Sequence, residues 1–231
     1  MTSVVASPVT IPLDEAGQVS GLLQVPTHAR ACYVLAHGAG AGMAHPFMVA
    51  VAHGLAERGI AILRYQFPYM ERGAKRPDTP AVAHAAVRAA ARQAARLAPE
   101  LPLFAGGKSF GGRMTSQAQA ASPLPGVRGL VFLGFPLHPA GRPSAERAQH
   151  LHEVRIPMLF LQGTRDALAD FPSMQHLVAA LGARATLKPF QDADHSFHVR
   201  RTSGVTDETV RNELLTAVTD WMDAVMRAKD S

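Results

Sequence analysis

Apolar and polar positions along the chain alternate between two rhythms. Short runs rich in Val, Ile, Leu and Phe at residues 4–11, 21–25, 32–36, 61–65, 102–105, 129–133, 157–162 and 186–190 have the length and composition of strands. Between them, stretches with apolar residues three and four apart predict helices over 46–58, 81–97, 111–121, 172–181 and 206–229. The last helix is the best marked. Thr206 caps its start, Asp207 and Glu208 sit where the helix dipole favours acids, and Val210, Leu214, Val218, Trp221 and Val225 form one apolar stripe. Strands alternating with helices predict an α/β architecture, a mostly parallel sheet covered by helices. The first two runs are joined by the turn-rich PLDEAG and should form an antiparallel hairpin at one edge. The segment 136–154, PLHPAGRPSAERAQHLHEV, is the one irregular insertion and the candidate for a short cap.

No repeat, linker or composition shift divides the chain, and 231 residues with 47% apolar content suffice for one core, so residues 1–231 are expected to be a single domain. The first residues have neither a basic start nor an unbroken apolar run, and no window approaches the ~18 apolar residues of a membrane span. A cytoplasmic protein without a membrane partner is the expectation. The single Cys32 agrees with a reducing compartment. A net charge of +5 invites a nucleic-acid partner, but the arginines are scattered, without a dense basic block or interleaved aromatics. Arg88, Arg92 and Arg96 read as one solvated helix stripe. The pattern leaves the oligomeric state open.

The chemistry concentrates at Gly107-Lys108-Ser109-Phe110-Gly111, between a strand and a helix. A G-x-S-x-G string in that context holds a serine in a strained turn with its hydroxyl above the sheet. The competing reading, a phosphate-cradling G-x-x-x-x-G-K-S loop, fails because its first glycine would fall at Pro102. A Ser nucleophile needs a base oriented by an acid, each at a strand's C-terminal end. Asp166 fits the acid, with Asp170 its rival; His195 fits the base, with His198 its rival. The segment His37-Gly38-Ala39-Gly40-Ala41-Gly42 can turn backbone N–H groups towards a developing oxyanion, and the N–H groups of Ala39 and Phe110 are the candidates. His37 itself reads as a buried brace of that loop. The pairs His150/His152 and His195/His198 lack a third ligand, so neither a metal nor a cofactor is expected.

The segments HGAGAGMAHPFM, RYQFPYM, GGKSFGGRM, FPLHPAGRP, LQGTRD and DADHSFHV together resemble a bacterial α/β-hydrolase family related to dienelactone hydrolases. They are also similar to the hydrolase-like domain of eukaryotic chromatin-complex and testis-expressed proteins. The resemblance implies a single α/β-hydrolase domain and Ser109, Asp166 and His195 as a triad. Two positions depart from it: Asp192 stands where a glycine is common, and Ala44 where an acid is common. Eukaryotic relatives that serve as scaffolds supply the alternative, an inactive interaction module with its triad pulled apart. The leading expectation is a serine hydrolase acting on a small ester, lactone or thioester. Position along the chain assigns its pocket to Met43, Tyr65, Phe67, Tyr69, Leu137 and the 136–143 segment, with Arg64, Arg72, Lys108 and Arg113 near enough to hold a carboxylate.

Overall fold

The computed structural model describes residues 4–14, 17–142 and 144–229. Eight strands form one sheet: β1 (Ser7–Leu13), β2 (Gly17–Gln24), β3 (Ala31–Ala36), β4 (Ile60–Tyr65), β5 (Leu103–Lys108), β6 (Val127–Leu133), β7 (Met158–Gly163) and β8 (Ala185–Phe190), in the order β1-β2-β4-β3-β5-β6-β7-β8. β1 and β2 pair antiparallel with each other, β2 is antiparallel to β4, and β3 to β8 are parallel. The expected edge hairpin is therefore present, although Glu15 and Ala16 of its turn lie outside the described residues. β3, β4 and β7 are buried at every position because helices cover both faces, which is why their sequences are unbroken apolar runs. At the edge β1 alternates, burying Ile11 and Leu13 and exposing Pro12 between them.

The helices are α1 (Pro46–Glu57), α2 (Pro68–Glu71), α3 (Pro80–Leu97), α4 (Phe110–Ala121), α5 (Phe171–Leu181) and α6 (Asp207–Lys229). α1 and α6 cover one face of the sheet around Tyr33, Leu55, Phe104 and Leu214. Residues of α2 to α5 pack on the other around Phe67, Val87, Met114, Phe132 and Met174. The arginine stripe of α3 is less free than expected. Arg92 pairs with Asp14 at 2.8 Å, and Arg88 donates to the carbonyls of Ala118 and Ser122 at the end of α4.

Sheet order places the site. The chain leaves β3 for β4 on one side and returns to β5 on the other, so the loops after β3 and β5 diverge and open a crevice at the strands' C-terminal ends. The 136–154 segment contains a 3₁₀ helix, Glu146–Glu153, that packs beside α4 with Ala148, Leu151 and Val154 buried. His150 fixes it there through a 2.8 Å contact with Ser116 Oγ, so it walls the crevice from one side. Pro143, part of the expected pocket segment, lies outside the described residues.

Candidate active site

Ser109 sits between β5 and α4 with φ 49° and ψ −113°, a left-handed conformation that a non-glycine residue adopts only under constraint. The constraint is crowding: a Cβ on Gly107 would stand 2.2 Å from the Ala36 carbonyl oxygen, and one on Gly111 2.6 Å from the carbonyl oxygens of Ala36 and His37. Both glycines let β3 approach the turn, which presses the serine upward. The first residue of α4 is Phe110, so its N–H belongs to the helix's unpaired N-terminal set.

His195 reaches Ser109 from the loop after β8, with Nε2 2.8 Å from Ser109 Oγ. Its Nδ1 lies 2.7 Å from Asp166 Oδ2, an arrangement that sets the tautomer with the proton on Nδ1. Asp166 follows β7, and its side chain is fully shielded from solvent. Two further donors hold it. Gln162 Nε2 donates to Oδ2 at 2.5 Å and the Leu168 N–H donates to Oδ1 at 2.8 Å. Gln162 is turned by its own carbonyl, which accepts the Phe135 N–H at 2.9 Å. The structure thus brings Ser109, His195 and Asp166 into one hydrogen-bonded chain, without the separation that an inactive scaffold would have. The rivals are engaged elsewhere. Asp170 caps α5 by accepting the Ser173 N–H at 3.1 Å, and exposed His198 pairs with Asp207 at 2.7 Å.

The loop after β3 is braced from below. His37 is fully buried; its Nδ1 donates to the Gly38 carbonyl at 2.8 Å and its Nε2 accepts the Phe67 N–H at 3.0 Å. Burial lowers its pKa and favours the neutral ring this bonding requires, against the opposing pull of the Gly38 carbonyl. The Tyr69 hydroxyl accepts the Gly40 N–H at 3.1 Å, and Gln66 accepts the Met43 N–H at 2.8 Å.

Two cavities meet at Ser109, sharing Ala39 and Leu168 as walls. One, of about 320 Å³, is bounded by Gly38, Phe47, Met48, Lys108 and His195. The other, of about 350 Å³, is bounded by Phe110, Arg113, Met114, Pro136 and Arg147. The expected pocket walls need correction. Tyr65, Phe67, Tyr69 and Leu137 have no exposed surface and belong to the core. Phe67 and Tyr69 stack edge-on against Phe110, with centroids 5.2 and 6.4 Å apart, and so support the turn from beneath. Met43 borders neither cavity; its backbone is tied to Gln66 and to Arg64, whose Nη1 donates to its carbonyl at 2.8 Å. Proximity in sequence fixes which loop a side chain belongs to, whereas the pleat decides whether it points up or down.

Among the candidate cations, Arg64 is a buried strut and Arg72 pairs with Asp78 at 2.8 Å. Lys108 Nζ donates to the His195 carbonyl at 2.5 Å, and burial pushes its pKa down to about 8 against the pull of Asp166 and Asp194. Sequence reasoning missed Gln162 and this tether: a glutamine at a strand end and a lysine inside a glycine-rich turn carry no pattern of their own.

The comparisons with known proteins agree with this architecture. Residues 29–223 match the family model described as an alpha/beta hydrolase domain. The chain belongs to this family. A dienelactone hydrolase from Anabaena variabilis ATCC 29413 superposes with a TM-score of 0.76 at 20% identity, covering 93% of this chain and 97% of its own. XC6422 from Xanthomonas campestris, described as a serine hydrolase without a lid, gives 0.73 at 22% identity over 96% and 97%. An alpha-beta serine hydrolase homologue from Coxiella burnetii gives 0.74 at 19% identity over 93% and 98%. These likenesses establish the fold. Among the described residues, no helix is long and apolar enough to cross a membrane.

Proposed function

We propose that this member of the α/β-hydrolase family is a serine hydrolase that cleaves small ester-type substrates, whether ester, lactone or thioester, through an acyl-enzyme on Ser109. The observation that carries the reading is the continuous chain from Ser109 Oγ through His195 to the shielded Asp166, both bonds under 3 Å. His195 Nε2 takes the hydroxyl proton as Oγ bonds to the substrate carbonyl carbon, and Asp166 stabilises the imidazolium that forms. The carbonyl oxygen becomes an oxyanion facing the N–H groups of Ala39 and Phe110, each donor contributing about 3 kcal/mol at the transition state. Collapse breaks the bond to the leaving alcohol or thiol, which receives the proton from His195. Water then repeats the sequence on the acyl-enzyme, releasing the acid and restoring the Ser109 hydroxyl. The chemistry is complete without a metal or cofactor.

A fluorophosphonate probe should label the protein at Ser109, and Ser109→Ala should abolish labelling and lower ester turnover by about 10⁴-fold or more. Equal labelling of wild type and Ser109→Ala would overturn the assignment.

A further inference from the structure

The two cavities beside Ser109 differ in the step each can serve. The leaving group must lie where His195 can protonate it, and His195 borders only the cavity with Phe47 and Lys108. The other cavity, lined by Phe110, Met114, Pro136, Arg113 and Arg147, is left for the acyl group. Arg113 stands one helical turn beyond Ser109 on α4, and Arg147 comes from the 3₁₀ helix packed alongside.

Arg64 and Arg88 are held by carbonyl oxygens, and other arginines pair with carboxylates. Arg30 pairs with Asp223, Arg72 with Asp78 and Arg92 with Asp14, whereas among the described residues neither Arg113 nor Arg147 has a carboxylate within 4.0 Å. Arg113 Nε is buried without a hydrogen-bond partner, as is Arg64 Nε, which borders neither cavity. Such an orphaned donor is uncommon in a folded protein and destabilises it, more so when charged. Asp78 borders the same cavity but is already committed: Oδ2 accepts the Tyr69 N–H at 2.7 Å and Oδ1 accepts from Arg72 at 2.8 Å. Burial, then repulsion from Arg147, lowers the pKa of Arg113, so its positive charge is held at an electrostatic cost. A bound anion would offset it.

Resting on the serine-hydrolase reading above, we infer that the acyl cavity accepts a carboxylate at the far end of the acyl chain, so that the preferred substrates are half-esters of short dicarboxylic acids. Arg113 and Arg147 would hold that carboxylate while Ser109 attacks the ester carbonyl at the other end. Charge-assisted guanidinium–carboxylate bonds in a partly desolvated cavity are strong enough to select such substrates over neutral ones.

The test compares monoethyl succinate, glutarate and adipate with ethyl butyrate, pentanoate and hexanoate, following proton release near neutral pH. Wild type should favour at least one half-ester over its chain-matched neutral ester by about tenfold or more in kcat/KM. That ratio should fall about tenfold in Arg147→Gln, and further in the Arg113→Gln/Arg147→Gln double variant. It should also decline with added salt. A wild-type ratio of one or less for all three pairs, or a ratio unchanged in Arg147→Gln, overturns the carboxylate site. If Ser109 still takes the fluorophosphonate label in that case, the hydrolase reading survives alone. If Ser109 does not label, that reading fails, and calorimetric titration with glutarate decides the subsite separately: binding weakened in Arg147→Gln supports it, and no binding to wild type overturns it.

Discussion

Asp192 is where a single side chain's chemistry is easiest to isolate. It has φ 57°, in the left-handed region where glycine is at ease and aspartate is among the better-tolerated alternatives. Its N–H donates to Thr164 Oγ1 at 2.9 Å and its carbonyl accepts from Arg165 at 3.0 Å, so the loop carrying His195 keeps its path despite the missing glycine. Relief of left-handed strain and added unfolded-chain entropy oppose each other, so Asp192→Gly should change stability by less than about 1 kcal/mol. Asp192→Val should lose about 2 kcal/mol, because a β-branched residue disfavours that region more strongly. Thermal denaturation of the two variants checks the order. Gln162 is the opposite kind of residue, with both amide ends committed to Asp166 and Phe135. Gln162→Leu should lower kcat/KM by about 10–100-fold, the loss expected when a hydrogen bond to a charged group disappears. An unchanged rate would show that Asp166 orients His195 without it. Asp166 and His195 were legible in the sequence because each ends a strand in the required order. Gln162 was not, because nothing in the string LFLQG says which buried amide a later aspartate will need.

At the scale of elements, the strand–turn–helix unit around Ser109 was the most readable part of the chain, since its glycines answer a local steric demand. Gly107 has φ 152° and no room for a Cβ against the β3 backbone. Gly126, just before β6, has φ 76° and nothing within 4 Å of the Cβ position. Gly107→Ala should therefore cost more than about 4 kcal/mol, or prevent folding, whereas Gly126→Ala should cost about 1 kcal/mol. Urea denaturation of both separates close approach from conformational preference; equal losses would refute the distinction. Other elements were less visible. α2, four residues long, has no periodicity to detect, and strand ends moved by a few residues because hydrogen-bonded pairing, absent from the sequence, decides where a ladder stops. The aromatic residues of RYQFPYM were legible as a cluster, but their burial beneath Phe110 depends on α2 turning the chain inward after β4.

Across the whole molecule, Lys108 joins parts that are distant in sequence. It ends β5, its ammonium donates to the His195 carbonyl in the loop after β8, and it lies 6.0 Å from the ring centre of Phe47 on α1 and 5.6 Å from that of Phe197. Gly134, after β6, leaves the space it needs: a Cβ there would stand 2.9 Å from Nζ. Burial lowers the Lys108 pKa to about 8 from the ordinary 10.5, with Asp166 and Asp194 opposing the shift. Below pH 8 folded and unfolded chains both carry this proton, and the fold bears the cost of desolvating it. Between about 8 and 10.5 the unfolded chain retains a proton that the folded one has released, so this group's contribution to stability rises with pH. Lys108→Met removes the titration while keeping an apolar stem between the two rings. Relative to Lys108→Met, wild type should therefore gain on the order of 2–3 kcal/mol between pH 7.5 and pH 10.5. Every other titrating group is common to both proteins and cancels in the difference. Denaturant titrations at half-unit pH steps measure it directly. A difference that stays constant across the window would mean that Lys108 is hydrated enough to keep its proton, and that the tether to His195 is a solvent-exposed contact rather than a buried one.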